Sequence, residues 1–333
     1  MRAAVVGAGS RATSLMTRIV ADGLFTLAAV VEPVAERRHA AVAQFAVPLA
    51  VPGVDELLAV ARPGLDCVFV VTPPWLHAEA FVAVAKAGLP IFCEKPMDMD
   101  LRAAERMRHA ARASGIRSMF GFNRRFTPVG RLARALCAAE PPRFVHASKS
   151  RPMTYSRMLA ENAVHAVDLL LCLADSTPET IKAVATFKDG CAEAEAYVGA
   201  VLAFVGGGGG SFQMITEGAG GVERVEVYGR DYTLVGDLPD QIRYAGDTHG
   251  LREAARMAGV TLESRGGERF EVRGEPDLVV ELSAFAALVQ GTGLPAGLPG
   301  AEAAFEAQRV VEAIYRDAGL PPTRWAAEWV REQ

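Results

Sequence analysis

The chain of 333 residues predicts an α/β protein in two parts. A doubly wound parallel sheet is expected over residues 1–121, and an α/β domain with an open, mostly antiparallel sheet over 122–333. Three observations carry this. The first third alternates short apolar runs with stretches of helical periodicity, the pattern of repeated strand–helix units. A glycine-rich turn stands between the first such run and the first helix. Beyond Thr180, strand-like segments follow one another through short connections, which suits antiparallel pairing. The length itself favours two domains over one core.

Composition narrows the function classes. Half of the residues are hydrophobic and 22% are charged, an ordinary globular balance. A net charge of -4 gives no electrostatic reason to expect nucleic acid as a partner. The five cysteines (Cys67, Cys93, Cys137, Cys172 and Cys191) form no C-x-x-C pair. Their odd number and scatter read as reduced thiols of a cytoplasmic protein, with no metal site expected. The amino terminus enters a strand-like run at once, without a charged-then-apolar leader. No apolar stretch reaches membrane-spanning length.

The elements of the first part follow in order. Arg2 to Val6 is an apolar strand, followed by Gly7-Ala8-Gly9-Ser10-Arg11-Ala12 and then by a helix over Thr13 to Ala21. Strand, glycine turn and helix together form a dinucleotide-binding signal of the Rossmann kind. Gly7 permits the tight turn, Gly9 lets the backbone approach a pyrophosphate, and Ala12 lets the helix lie close to the strand. The helix amino terminus, with Ser10 and Arg11, favours the phosphate charge. The second strand, Thr26 to Val31, ends on Glu32, where an acid hydrogen-bonds ribose hydroxyls and repels a 2'-phosphate. Arg37 and Arg38 read as exposed helix residues rather than a phosphate clamp; Arg11 is the residue that could reach a phosphate instead. The cofactor expected is NAD rather than NADP.

A helix over Val54 to Ala61 and a strand over Asp66 to Val71 come next. Thr72 and Pro73 follow that strand directly, which puts them on the edge where α/β sheets bind ligands. His77 has two readings, a polar residue in the first turn of a helix running to Lys86 or a contact beside the nicotinamide end of the cofactor. Leu89 to Cys93 is a strand that stops on Glu94-Lys95-Pro96. Taken alone, that tripeptide could equally be a solvated turn; after the preceding motifs it falls on the same ligand edge. A helix over Leu101 to Ala113 and a strand over Ile116 to Phe120 complete the alternation.

These motifs, in this order with Gly121-Phe122-Asn123-Arg124-Arg125-Phe126, resemble the glucose–fructose oxidoreductase / inositol dehydrogenase / rhizopine-catabolism (Gfo/Idh/MocA) family. The resemblance covers essentially the whole chain. It implies a Rossmann domain followed by an α/β domain on an open antiparallel sheet. It also implies bound NAD or NADP, and oxidation or reduction of a secondary hydroxyl of a sugar, sugar derivative or cyclitol. Lys95 matches the family lysine expected to contact the substrate hydroxyl and the nicotinamide ribose, with Glu94 beside it on the cofactor. An ammonium at a desolvated site stabilises a developing alkoxide, so the physics agrees. Asn123 and Arg124 are expected at the substrate, and homodimers or homotetramers are expected.

In the second part, a basic helix runs out of Phe122 to Ala139 and a strand covers Arg143 to Ser150. Leu159 to Leu171 has helical periodicity, with Glu161, His165 and Asp168 spaced to project from one side. A surface Glu–His pair with a helix-internal Asp would show the same spacing. His165 matches the family's active-site histidine, and an imidazole suits proton exchange with a hydroxyl near neutral pH. The family has an aspartate four residues earlier; this chain has Glu161 there, a carboxylate on a longer arm. Asp168 matches a family position that either braces the helix or touches substrate. Strands are expected over Thr180 to Phe187, Tyr197 to Val205, Ser211 to Thr216 and Val222 to Tyr228. Gly206 to Gly210 reads as a hairpin connection, since no Lys-Ser/Thr and no helix follow it. Asp237 to Gly267 is expected to be an irregular insertion. Helices are expected over Asp277 to Val289 and Ala301 to Ala318, with Trp325 and Trp329 packing back on the body. The loops Lys149 to Tyr155 and Asp237 to Gly250 are where hydroxyl patterns would be read.

The leading expectation is an NAD-dependent sugar or cyclitol dehydrogenase with Lys95, His165 and Glu161 at the reacting hydroxyl. A non-catalytic dinucleotide- and sugar-binding regulator, or a glycosidase using bound NAD for transient oxidation, are the alternatives.

Overall fold

The computed structural model describes residues 1–152, 159–188, 191–217, 220–292 and 297–320; Tyr155, Trp325 and Trp329 lie outside them. The chain divides into two compact units, Met1–Gly121 with Glu281–Phe305, and Phe122–Val280 with the segment that begins at Glu306.

The first unit begins with β1 (Arg2–Val6), α1 (Ser10–Asp22), β2 (Thr26–Val31), α2 (Ala35–Phe45), β3 (Leu49–Val51) and α3 (Val54–Ala61). It continues with β4 (Cys67–Val70), α4 (His77–Lys86), β5 (Ile91–Cys93), α5 (Leu101–Ser114) and β6 (Ser118–Phe120). The six strands form one sheet in the order β3-β2-β1-β4-β5-β6, every pair parallel. This is the doubly wound order, with its switch point between β1 and β4. All residues of β4 and β5 are buried, as expected of strands covered on both faces. The helices stop where the sequence supplies a left-handed residue: α1 at Gly23 (φ 67°) and α5 at Gly115 (φ 64°). Asp100 starts α5 by accepting the Arg102 N–H. The short strand β3 had no sequence signal; two of its three residues are only half-buried.

The second unit holds α6 (Pro128–Ala139), β7 (Phe144–Ser150), a π-helical turn over Leu159–Ala163 and α7 (Val164–Ala174). Then come β8 (Pro178–Lys188), β9 (Cys191–Phe204), β10 (Gly209–Ile215), β11 (Val222–Tyr228), β12 (Thr233–Asp237) and β13 (Gln241–Ala245). They are followed by α8 (Thr248–Ala258), β14 (Thr261–Ser264) and β15 (Arg269–Arg273). Nine strands pair in the order β14-β15-β13-β12-β11-β7-β10-β9-β8. The β7–β10 pair is parallel and the others are antiparallel. Burial alternates along β7, β10 and β12, so one face carries Val145, Ala147, Phe212, Met214 and Leu234 into the core. Helix α7 packs on that face against β7 and β10. The glycine run between β9 and β10 is the expected hairpin connection.

Two expectations need correction. Asp237 to Gly267 is not irregular: it contains β13, α8 and β14. The strands are four or five residues long and mostly exposed, with Ile242 and Tyr244 alone turned inward on β13, so their apolar signal is thin. The helix did carry a signal, since Asp247 caps the His249 and Gly250 N–H groups and Gly259 ends it at φ 62°. The second correction concerns α9 (Asp277–Gln290) and α10 (Ala301–Asp317). Glu281–Phe305 belongs with the first unit rather than with residues 122–333. The Phe285 ring joins Phe25, Phe69 and Phe92 at centroid distances of 5.8, 5.1 and 5.5 Å. Helical periodicity reveals a buried face but not which core receives it.

Candidate active site

The carboxyl edge of the first unit's sheet brings together three of the sequence motifs. Gly7 has φ 108°, and a Cβ there would stand 2.7 Å from the Val71 carbonyl oxygen, so the turn admits no side chain. At Gly9 nothing lies within 4 Å of the Cβ position, which leaves room for a ligand to approach the backbone. Helix α1 starts on Gly9 without a side-chain cap, so its first-turn N–H groups are available to an anion; Ser10 is exposed there. Glu32, buried at the end of β2, accepts the Ala8 N–H through Oε2 (2.9 Å) and the Val34 N–H through Oε1 (3.0 Å). Each oxygen keeps further lone pairs for ribose hydroxyls. Arg38 is half-buried and donates to the Glu32 and Pro33 carbonyls, while Arg37 is exposed. These residues fit a dinucleotide whose ribose is read by a carboxylate.

Arg11 reaches from the glycine turn to Glu94. Its Nε donates to Glu94 Oε1 at 2.7 Å, and Nη2 is 2.7 Å from the same oxygen. Glu94 is buried, and its Oε2 accepts the Lys95 N–H at 3.3 Å. Lys95 is half-buried at the end of β5 and is joined to Pro96 by a cis peptide bond. Thr72 and Pro73 follow β4; Thr72 Oγ1 is buried with no hydrogen-bond partner among the described residues. His77 has no exposed surface, with Nδ1 3.0 Å from the Pro96 oxygen and Nε2 2.8 Å from the Thr72 oxygen.

The second unit gathers the remaining candidates. Asn123 and Arg124 lie in a 3-10 turn after Phe122. Asn123 donates to Asp277 Oδ2 (2.6 Å), and Arg124 grips Glu223 with two guanidinium nitrogens and donates to Asn123 Oδ1 (2.8 Å). Glu223 also pairs with the buried Lys149. Burial alone would push the Glu223 carboxyl up; the hydrogen bonds and charges of Arg124 and Lys149 outweigh it and bring it to about 2. A cavity of about 650 Å³ is lined by Arg124, Ser150, Arg151, Glu223, Leu238 and Asp277. Parts of both loops expected to read hydroxyls therefore line one space.

His165 is buried on α7, with its ring edge-on to Phe122 at 6.0 Å. Glu161 is half-buried and lies in the π-helical turn that leads into α7. Such turns in helices concentrate at functional sites. Asp168 is wholly buried and takes both ends of the Arg125 guanidinium, with Nε to Oδ2 at 2.7 Å. Burial pushes its carboxyl up and Arg125 opposes that. Asp168 thus braces α7 against the Arg125 turn.

Sequence reasoning did not single out Lys149 as a paired group or Glu223 at all. The signal was present: Lys149 shares the inward face of β7 with Val145 and Ala147, and Glu223 that of β11 with Val225 and Val227. Among the described residues no cluster of His, Cys, Asp and Glu could hold a metal ion, and no helix is long and apolar enough to cross a membrane.

A parallel sheet in this order, with a glycine turn and a carboxylate at the next strand end, fits a nucleotide-binding α/β protein. The family comparison is specific. Residues 1–122 match the oxidoreductase family with NAD-binding Rossmann fold, and residues 132–235 match the GFO/IDH/MocA C-terminal domain. The chain belongs to the Gfo/Idh/MocA family. An inositol 2-dehydrogenase of Leifsonia xyli subsp. xyli is 31% identical over 193 residues, covering 55% of this chain and 56% of that one. The chain spans about half the length of the curated relatives it matches. An NAD binding oxidoreductase from Klebsiella pneumoniae has the same fold (TM-score 0.79, 21% identity, 98% of each chain). So does a levoglucosan dehydrogenase in complex with NADH and levoglucosan (TM-score 0.78, 18% identity, 98% of each chain).

Proposed function

We propose that this protein is an NAD-dependent dehydrogenase acting on a secondary hydroxyl, or the matching ketone, of a sugar, sugar derivative or cyclitol. The observation that carries the reading is the Glu94-Lys95-Pro96 turn, at the end of β5 on the same sheet edge as the glycine turn and tied to it by Arg11. Glycines, Glu32 and the α1 amino terminus hold the dinucleotide. When bound, its nicotinamide ring accepts or returns a hydride.

The chain's own residues do the rest. The Lys95 ammonium stabilises negative charge on the reacting oxygen as its proton leaves. His165 exchanges that proton as general base or acid. Glu161 orients the substrate and His165. Arg124, aimed by Glu223 and Lys149, binds another hydroxyl from the wall of the cavity, and Asn123, held by Asp277 and bonded to Arg124, supports it there. The inositol 2-dehydrogenase names of the curated relatives put cyclitols first among the candidate substrates. Glu32 favours NAD over NADP. The sheet face opposite the core exposes Val184 and Val201, at 63% and 61%, which supports a homo-oligomer.

The test is NADH formation with a panel of cyclitols, aldoses and nucleotide sugars, alongside free-sugar release from glycosides. NADH with one substrate class supports the reading. Glycoside cleavage without net NADH, or cofactor and sugar binding with neither product, would replace it.

A further inference from the structure

His77 is a buried titratable group on the ligand edge that the proposed chemistry does not use. It opens α4, and its two ring nitrogens stand 2.8 and 3.0 Å from the carbonyl oxygens of Thr72 and Pro96. Thr72 follows β4 and Pro96 follows β5, so one side chain spans two neighbouring strand-end turns. Carbonyl oxygens only accept, so each nitrogen serves its turn by carrying a hydrogen. Burial favours the neutral ring, which carries one hydrogen, so the tautomer decides which turn takes the bond.

Lys95 lies between two such tethers. On its amino side, Glu94 accepts the Lys95 N–H and is itself held by Arg11 from the glycine turn. On its carboxyl side, Pro96 is held by His77 from the Thr72 turn. With no exposed surface, the imidazole touches protein on every side. Its position and bonds suit it to fixing backbone rather than to meeting a ligand.

We propose that His77 is a positioning residue for Lys95. With its hydrogen on Nδ1, the ring donates to the Pro96 carbonyl and fixes the turn that carries the ammonium, beside the Thr72 turn of the neighbouring strand. The proposal rests on the role given to Lys95 above.

Two variants test it: His77→Phe keeps the ring's bulk without a donor, and His77→Gln keeps one amide donor. Amide hydrogen exchange of the peptide covering Glu94–Asp100 should rise at least about tenfold in His77→Phe and less in His77→Gln. Turnover should fall about 10- to 100-fold in His77→Phe, with KM and the NAD dissociation constant held within about threefold, and recover in part with Gln. A folded His77→Phe protein with wild-type exchange in that peptide would overturn the proposal. So would a turnover loss that Gln does not lessen. If His77→Phe does not fold, the same two measurements on His77→Gln decide. If the wild-type protein turns over no substrate, the reading of Lys95 fails, while the exchange measurement still decides whether His77 holds the turn.

Discussion

Glu223 offers the prediction whose magnitude follows most directly from the structure. Its carboxylate sits between Arg124 and the buried Lys149 and is held at about 2, against an ordinary value of 4.5. A folded-state value below the unfolded one means that the folded protein resists protonation. The stabilisation is therefore complete above the unfolded value and is lost as pH falls from 4.5 toward 2. That difference is worth about 3 kcal/mol at pH 7 and about 1.4 kcal/mol at pH 3, an upper figure for a group still partly in contact with water. The Glu223→Gln variant removes the charge and leaves Lys149 buried without its anion. Urea unfolding of both proteins at a series of pH values from 7 to 3 measures the gap between them. The gap should be about 3 kcal/mol at pH 7 and should close by about half at pH 3. A gap that stays constant across this range would refute the claim that the two cations hold Glu223 ionised.

Further predictions concern the neighbouring groups. Asp168→Asn removes the carboxylate that grips the buried Arg125 guanidinium and should destabilise the fold by about 3–5 kcal/mol, read by denaturant unfolding. Wild-type stability with a raised KM would instead make Asp168 a substrate contact. Glu32→Ser should lower the preference for NAD over NADP at least about tenfold, measured as a ratio of kcat/KM values, because it removes a negative charge from the place a 2'-phosphate would take. Val201→Glu puts a charge on the sheet face proposed to join copies of the chain; light scattering should show an oligomer for the wild type and a monomer for the variant, with the fold retained. An unchanged mass would move the interface elsewhere.

The parallel sheet was legible because its strands and helices differ in period and its turns are written in Gly, Pro and charged residues. Strand β3 escaped because it is three residues long and two of them are half-exposed, too short a run to carry a signal. The region after Asp237 was misread for the opposite reason: its strands are exposed and charged, and the capping Asp247 was overlooked. The turns that end strands on one sheet edge, at Gly7, Thr72 and Lys95, were legible because apolar runs stop there on Gly, Thr-Pro and Glu-Lys-Pro. Pairings were not. Arg125 and Asp168 are 43 residues apart, and Arg124 and Glu223 are 99 apart, with no local pattern to announce either contact. Arg11 shows the same limit, since its place in the glycine turn suggested a phosphate and its side chain reaches Glu94 across 83 residues.

The central claim is that Lys95 and His165 serve one reacting hydroxyl beside NAD. The most direct measurement is turnover, followed by NADH absorbance, of Lys95→Ala and His165→Ala with the best cyclitol or sugar of the panel, together with NAD affinity by calorimetry. Each variant should lose about 10²- to 10⁴-fold in kcat while binding NAD within a few-fold of wild type. Near-normal turnover in either variant would contradict the account.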